Sequence, residues 1–177
     1  MCEHCGCRGV EPIAELMDEH LELLDLGGEV RRHLAHGDRW AAWDLLGQMA
    51  HLLEHHVERE EKGLFTALRD QGDFVAAVDE LEAEHADFDE ELSDLDLTAV
   101  DFERRVADLL DHLALHIDKE NLGVFPVAVV TLGARGWDTV AAVHDDVPHA
   151  HDHAPTHDHA PTRTHGRRAV RTPAHAH

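Results

Sequence analysis

Apolar residues recur every three or four positions along four stretches of the first 147 residues, and no stretch shows the strict alternation of a half-buried strand. This periodicity predicts an all-α protein. The predicted helices cover about residues 11–36, 38–70 and 73–95, and a fourth begins at Thr98. Because the connections between them are short, neighbours in sequence should run antiparallel, which predicts an up-down-up-down antiparallel four-helix bundle.

Local signals set the ends of these predicted helices. Gly37-Asp38 is typical of a turn followed by a helix cap. The sequence Thr98-x-x-Asp101 resembles a capping box, which predicts that the fourth helix begins there. Pro126 predicts a kink or an end in the same helix. A shorter amphipathic segment at 136–147 then predicts a short extra C-terminal helix that packs on the bundle as a cap.

The composition changes abruptly near residue 148. The last 30 residues hold eight of the 19 His and four of the six Pro but only two of the 37 acidic residues, and the sequence HDHAPT occurs twice in tandem. Such a segment cannot bury enough apolar area to order itself. We therefore expect a Cys-rich N-terminal segment at 1–9, a four-helix bundle at 10–147 and a disordered His-rich tail at 148–177.

The formal net charge of −22 argues against nucleic acid or an anionic membrane as a partner. No run of 18 apolar residues is present, and the first seven residues lack the basic start and apolar run of a signal peptide, so we expect a cytoplasmic protein. In that reducing compartment Cys2, Cys5 and Cys7 should be thiols or metal ligands rather than parts of a disulfide framework.

Polar residues occupy inward positions of the predicted helices. Each helix places one His among its inward apolar residues, and two helices add a carboxylate one turn later. These residues are His20, His56, Glu60, His85, His116 and Glu120. An unpaired imidazole or carboxylate in a bundle core is strongly unfavourable. The six groups must therefore satisfy one another or bind a cation.

An internal repeat supports the hypothesis that the six groups bind a cation. The block H-x-x-x-E-x-x-G-[LV]-F occurs at 56–65 and again at 116–125, and a Glu-His pair precedes each block, at 19–20 and at 84–85. The chain thus reads as two αα-hairpins, each with one isolated His and one His/Glu pair. The i, i+4 spacing puts imidazole and carboxylate on one helix face. Two carboxylates among four imidazoles suit two metal ions, and the mixed N/O set fits iron, manganese or zinc, with iron favoured in a bundle core.

Over about residues 13–132 the pattern resembles the hemerythrin-like, or HHE cation-binding, family. The resemblance implies a four-helix bundle around two non-haem Fe ions that are bridged by two carboxylates and an oxo or hydroxo group. It implies that the centre binds or reacts with dioxygen, peroxide or nitric oxide in sensing, scavenging or iron-linked regulation. The residues that match the family's metal ligands are His20, His56, His85 and His116, and those that match its bridging carboxylates are Glu60 and Glu120.

One position departs from the family. Leu81 stands where the oxygen carriers of the family have a fifth His, one turn before the third-helix His. This departure weakens the case for reversible oxygen storage. The candidates for a replacement ligand are His112, one turn before His116, and Glu61 or His55, with His112 favoured.

A second hypothesis is a transition-metal buffering or delivery protein that uses the bundle, the Cys cluster and the His tail. The Cys cluster is a candidate for zinc or copper, and the tail is a candidate for nickel, copper or zinc. The sequence contains no nucleotide-binding loop and no evident nucleophile–base pair. It therefore leaves both ligand binding and catalytic turnover open.

Overall fold

A computed structural model of the chain describes residues 7–72 and 74–147, and these residues contain helices and turns but no strand. The prediction of an all-α protein is confirmed. After a 3₁₀ turn at Cys7–Gly9, the α-helices are α1 (Glu11–Ala35), α2 (Arg39–Arg59), α3 (Thr66–Gln71), α4 (Val75–Ser93), α5 (Phe102–Lys119), α6 (Phe125–Thr131) and α7 (Ala134–Asp146). Most of the predicted Cys-rich segment and the whole predicted tail at 148–177 lie outside the described residues.

Two of the predicted helices each contain a π-helical turn. The first π turn, Glu60–Phe65, joins α2 to α3, and the second, Glu120–Val124, joins α5 to α6. A π turn closes its hydrogen bonds over one more residue than an α turn and is frequent at functional sites. Both π turns begin at the Glu of a His-x-x-x-Glu pair.

The predicted capping box at Thr98 is wrong, since α5 begins only at Phe102. The backbone N–H and the hydroxyl of Thr98 both donate to Asp96 Oδ1, at 2.8 and 2.7 Å. The hydroxyl is thereby used in a local turn. Asp101 stands at the N-cap of α5 and makes no side-chain capping bond.

Pro126 lies in the first turn of α6, directly after the second π turn. The missing N–H of a proline is tolerated in a first turn, where it would have no α-helical partner. The regular α-helix becomes a π turn at Glu120, before the proline. The helical path then continues through Pro126 to Thr131.

The helices form a bundle in which α1 contacts α2 and α5, and α4 contacts α5 and α2. The up-down-up-down direction of the helices stays a prediction. Buried apolar side chains form two clusters, one around Leu16, Phe65 and Leu81 and the other around Leu23, Leu53 and Phe88. The six inward polar residues come between these clusters along their helices. No helix within the described ranges has the length and apolarity that crossing a membrane requires.

The C-terminal helix α7 packs on α3 and on the first π turn. Helix α7 lies directly against Gly63, since a Cβ at that position would be in van der Waals contact with Val143 Cβ at 3.4 Å and Val140 Cα at 3.6 Å. At Gly123, its counterpart in the second π turn, no described atom outside its own chain neighbours and helix backbone lies within 4 Å of such a Cβ. Helix α7 thus covers the first half of the internal repeat and leaves the second half open.

Candidate metal centre

The six predicted ligands come together in the interior of the bundle, each 5% exposed or less. Their ligand atoms form two groups in which all atoms lie within 4.8 Å of one another. The groups are His20, His56, Glu60 and Glu120, and Glu60, His85, His116 and Glu120. Because both carboxylates belong to both groups, the geometry is that of two adjacent cation sites with two shared carboxylates.

The Nε2 atoms of the imidazoles face the carboxylates. His56 Nε2 lies 3.3 Å from Glu60 Oε1, and His116 Nε2 lies 3.2 Å from Glu120 Oε1, each within its own helix. Across the bundle, His20 Nε2 lies 3.1 Å from Glu120 Oε2. The two hairpins therefore meet at the carboxylates.

Several of these buried atoms make no well-formed hydrogen bond with any described residue. They are His20 Nε2, His56 Nε2 and both carboxylate oxygens of Glu60 and Glu120. In the second group, His85 Nε2 and His116 Nε2 lie only 3.0 Å apart. Buried polar atoms in this state are unfavourable, and a metal ion would satisfy them. The donor set of imidazole and carboxylate therefore fits a pair of transition-metal ions.

In His56 and His116, the second ring nitrogen, Nδ1, contacts a carboxylate. His56 Nδ1 lies 2.9 Å from Glu19 Oε2, and His116 Nδ1 lies 2.8 Å from Glu84 Oε2. With Nδ1 as the donor to a carboxylate, Nε2 is left as an electron-pair donor toward the centre. The Glu of each Glu-His pair in the sequence thus orients a histidine on the neighbouring helix.

The isolated histidines are held from the π turns. His20 Nδ1 lies 3.2 Å from Asn121 Oδ1, and His85 Nδ1 lies 3.0 Å from Glu61 Oε1. Asn121 and Glu61 directly follow the shared carboxylates of the two repeats. Sequence reasoning missed Asn121, and it proposed Glu61 as a ligand rather than as the residue that orients His85.

Two phenylalanine rings pack against His20 and His85 on one side of the site. The Phe125 ring stacks on His20 with centroids 5.4 Å apart and planes 6° apart, and Phe65 stacks on His85 at 5.8 Å and 7°. Both Phe rings are fully buried. They fix the ring planes of the histidines and form an apolar wall on one side of the centre.

The hemerythrin HHE cation binding domain family matches residues 11–128 of the chain. The chain belongs to this family. The match includes all six residues of the two ligand groups and ends before α7. No curated protein and no solved structure shows significant similarity to the chain.

In this hemerythrin HHE domain the interactions favour ionised carboxylates. Burial and the neighbouring Glu120 act to raise the pKa of Glu60, but His56 and His85 outweigh them and lower it. Burial acts to lower the pKa of His85, whereas its contacts with Glu120, Glu60 and Glu61 raise it to about 11. The centre thus carries negative charge that needs a positive partner, either a metal ion or a proton held on an imidazole.

A basic residue precedes each shared carboxylate in the HHE domain, and the two differ in exposure. Arg59 forms an ion pair with Glu19 and is fully buried. Lys119 forms ion pairs with Glu84 and Glu80, and its side chain is 45% exposed. In both repeats a histidine contacts a glutamate, and that glutamate pairs with a basic side chain. The basic side chain is buried in the first repeat and partly exposed in the second.

None of the three candidates for a further ligand belongs to the ligand groups of the HHE domain. His112 has a side chain that is 60% exposed and lies 3.7 Å from Glu91. His55 contacts the ring of His51 edge-on, with centroids 4.8 Å apart. Glu61 holds His85 Nδ1, as described above. The position of the family's fifth His is filled by Leu81, which is buried in an apolar cluster.

Proposed function

We propose that this protein is a hemerythrin-like non-haem di-iron protein that binds or reacts with dioxygen, peroxide or nitric oxide, in sensing, scavenging or iron-linked regulation. The observation that carries the proposal is the pair of buried ligand groups that share Glu60 and Glu120. Two carboxylates between two pairs of imidazoles would offset part of the charge of two cations held at close range. Membership of the HHE cation-binding family supports the same conclusion.

In this proposal His20 and His56 would hold one iron and His85 and His116 the other, and Glu60 and Glu120, which belong to both ligand groups, would be shared by the two ions. The iron pair would supply the electrons for chemistry with a small oxidant, and the protein supplies geometry and a dry site. The side-chain oxygens at Nδ1, from three carboxylates and from the amide of Asn121, keep each Nε2 directed toward the centre. The Phe65 and Phe125 rings keep water from one side of it.

The proposal includes the up-down-up-down arrangement and the division of the chain into a bundle at 10–147 with terminal segments at 1–9 and 148–177. Three residues connect α1 to α2, and eight connect α4 to α5. Connections of this length favour antiparallel partners. An antiparallel hairpin also brings the Glu of each Glu-His pair to the histidine that it holds on the neighbouring helix.

The first experiment is elemental analysis of the full chain expressed with iron. A double variant, Glu60→Gln with Glu120→Gln, serves as the control, because any metal bound by the His tail or Cys cluster is present in both proteins. We expect the wild type to carry two more iron ions per chain than the variant. Equal metal content in both would contradict the di-iron centre and favour metal buffering by the terminal segments.

The second experiment tests the reaction with oxidant. Reduced, iron-loaded protein is mixed with air-saturated buffer, and its absorption is followed. We expect charge-transfer bands in the near ultraviolet and blue, which the double variant should lack. A featureless spectrum from a protein shown to hold two irons would refute the oxygen chemistry and leave the metal site intact.

A further inference from the structure

A cavity of about 660 Å³ lies between α2 and α4 and ends at the candidate metal centre. Trp43 and Leu95 line it at one end, and Val57 and His85 line it at the other. At about 1.5 Å per residue, the stretch of α2 from Trp43 to Val57 is about 21 Å long. The cavity therefore runs beside the core from the end of the bundle to a predicted ligand.

The interior of this cavity is apolar and its rim is acidic. The buried and partly buried apolar lining residues include Leu46, Leu53, Val57, Leu92 and Leu95. Glu54, Asp89 and His51 also line it and are exposed, so they form the rim. An apolar interior favours small neutral molecules, whereas two carboxylates at the rim repel anions.

The cavity reaches the half of the repeat that α7 leaves open. In the covered half, Glu19 has a side chain that is 9% exposed and Arg59 is fully buried. Their counterparts Glu84 and Lys119 have side chains that are 26% and 45% exposed. Glu84 and Lys119 line a separate pocket between α4 and α5, so their exposure shows that the His85/His116 side is less covered by protein; the apolar path that reaches His85 is the α2–α4 cavity.

We propose that the α2–α4 cavity is the route by which a small neutral apolar molecule, of the size and polarity of dioxygen or nitric oxide, reaches the His85/His116 side of the centre. Its destination rests on the proposed di-iron function. The capacity of the cavity to hold an apolar gas does not, because it depends only on the helices that line it.

Xenon tests the cavity without reference to iron. The full chain is purified with zinc, which is diamagnetic, and methyl NMR spectra are recorded under xenon pressure. We expect xenon to shift the methyl signals of Leu53, Val57 and Leu92. Ala50 lines the cavity, so Ala50→Trp should fill it and abolish these shifts. Ala83 is exposed on α4 and does not line the cavity, so Ala83→Trp is the matched control and should leave them unchanged.

Kinetics test the route. In reduced, iron-loaded protein we expect Ala50→Trp to slow the association of nitric oxide by about tenfold or more, with metal content unchanged and Ala83→Trp at the wild-type rate. Glu54→Gln with Asp89→Asn should speed the association of azide, an anion, at low ionic strength, and leave the rate for nitric oxide unchanged.

The two proposals fail in different ways. Absence of bound iron in the wild type would refute the di-iron function and leave the xenon result standing. Xenon shifts that persist in Ala50→Trp, or a wild-type nitric oxide rate in that variant, would refute the entry route. In either case the iron content still reports on the centre independently.

Discussion

Neutralising the carboxylate that holds a histidine should affect the two halves of the repeat very differently. Glu19→Gln and Glu84→Gln make the same chemical change at equivalent positions. In each variant the amide oxygen can still accept the Nδ1 proton of its histidine, so the substitution removes charge with little change of shape. What differs is the basic partner, which is Arg59 in one half and Lys119 in the other.

The structure sets the size of the difference. Arg59 is fully buried, and weakening a buried ion pair on one side typically costs 3–5 kcal/mol of unfolding free energy. Glu15 and Glu60 also attract Arg59, so we expect a loss of about 3 kcal/mol, at the lower end of that range, in Glu19→Gln. Lys119 and Glu84 are partly exposed, so Glu84→Gln should cost about 1 kcal/mol or less.

Urea unfolding of the two chelator-treated variants at pH 7, followed by circular dichroism, measures the difference. A gap of about 2 kcal/mol corresponds to about a 30-fold difference in the unfolding equilibrium constant. Equal losses in the two variants would refute the argument, because they would mean that burial under α7 does not distinguish the halves. A larger loss in Glu84→Gln would contradict it outright.

Three further predictions concern the centre, α7 and the bundle end. Glu60→Ala or His116→Ala should abolish the dinuclear site and lower the melting temperature of the metal-loaded protein only; an equal loss after metal removal would indicate core packing instead. Gly63→Leu should displace α7 and speed its proteolysis, whereas Gly123→Leu should not, and equal cleavage would contradict the asymmetry. The Arg39 guanidinium donates two hydrogen bonds of 2.7 Å to the Glu103 carboxylate on α5 and two to backbone carbonyls of the α4–α5 connection. Arg39→Lys should therefore speed amide hydrogen exchange in that connection. Unchanged exchange would mean that these bonds do not order the connection.

The clustering of the six candidate ligands could be predicted from the sequence because most of the necessary geometry lies within single helices. The four-residue spacing of His56 and Glu60, and of His116 and Glu120, fixes which side chains share a face. The inward position of His20 among apolar residues follows from helical periodicity alone. The family resemblance was confirmed by the match over residues 11–128, and the two metal ions that it implies remain a prediction.

The contacts that orient the ligands could not be predicted, because they join different helices. Asn121 and Glu61 lie next to the shared carboxylates, and each holds a histidine on a neighbouring helix. The positions of Asn121 and Glu61 in the sequence do not indicate that either side chain contacts a histidine on another helix. The start of α5 was also missed, since the hydroxyl of Thr98 bonds to Asp96 in preference to capping a helix.

The π turns change which residues can face the same way. In an uninterrupted α-helix, at about 100° per residue, positions nine apart such as His56 and Phe65 would point about 180° from each other. One residue accommodated in the π turn reduces that rotation to about 80°. His56 and Phe65 can then both point into the bundle, and the same holds for His116 and Phe125. Each helix thus changes its buried face at the candidate metal centre. The same helical segment therefore supplies a candidate ligand and, nine residues later, a ring that packs on a candidate ligand from another helix.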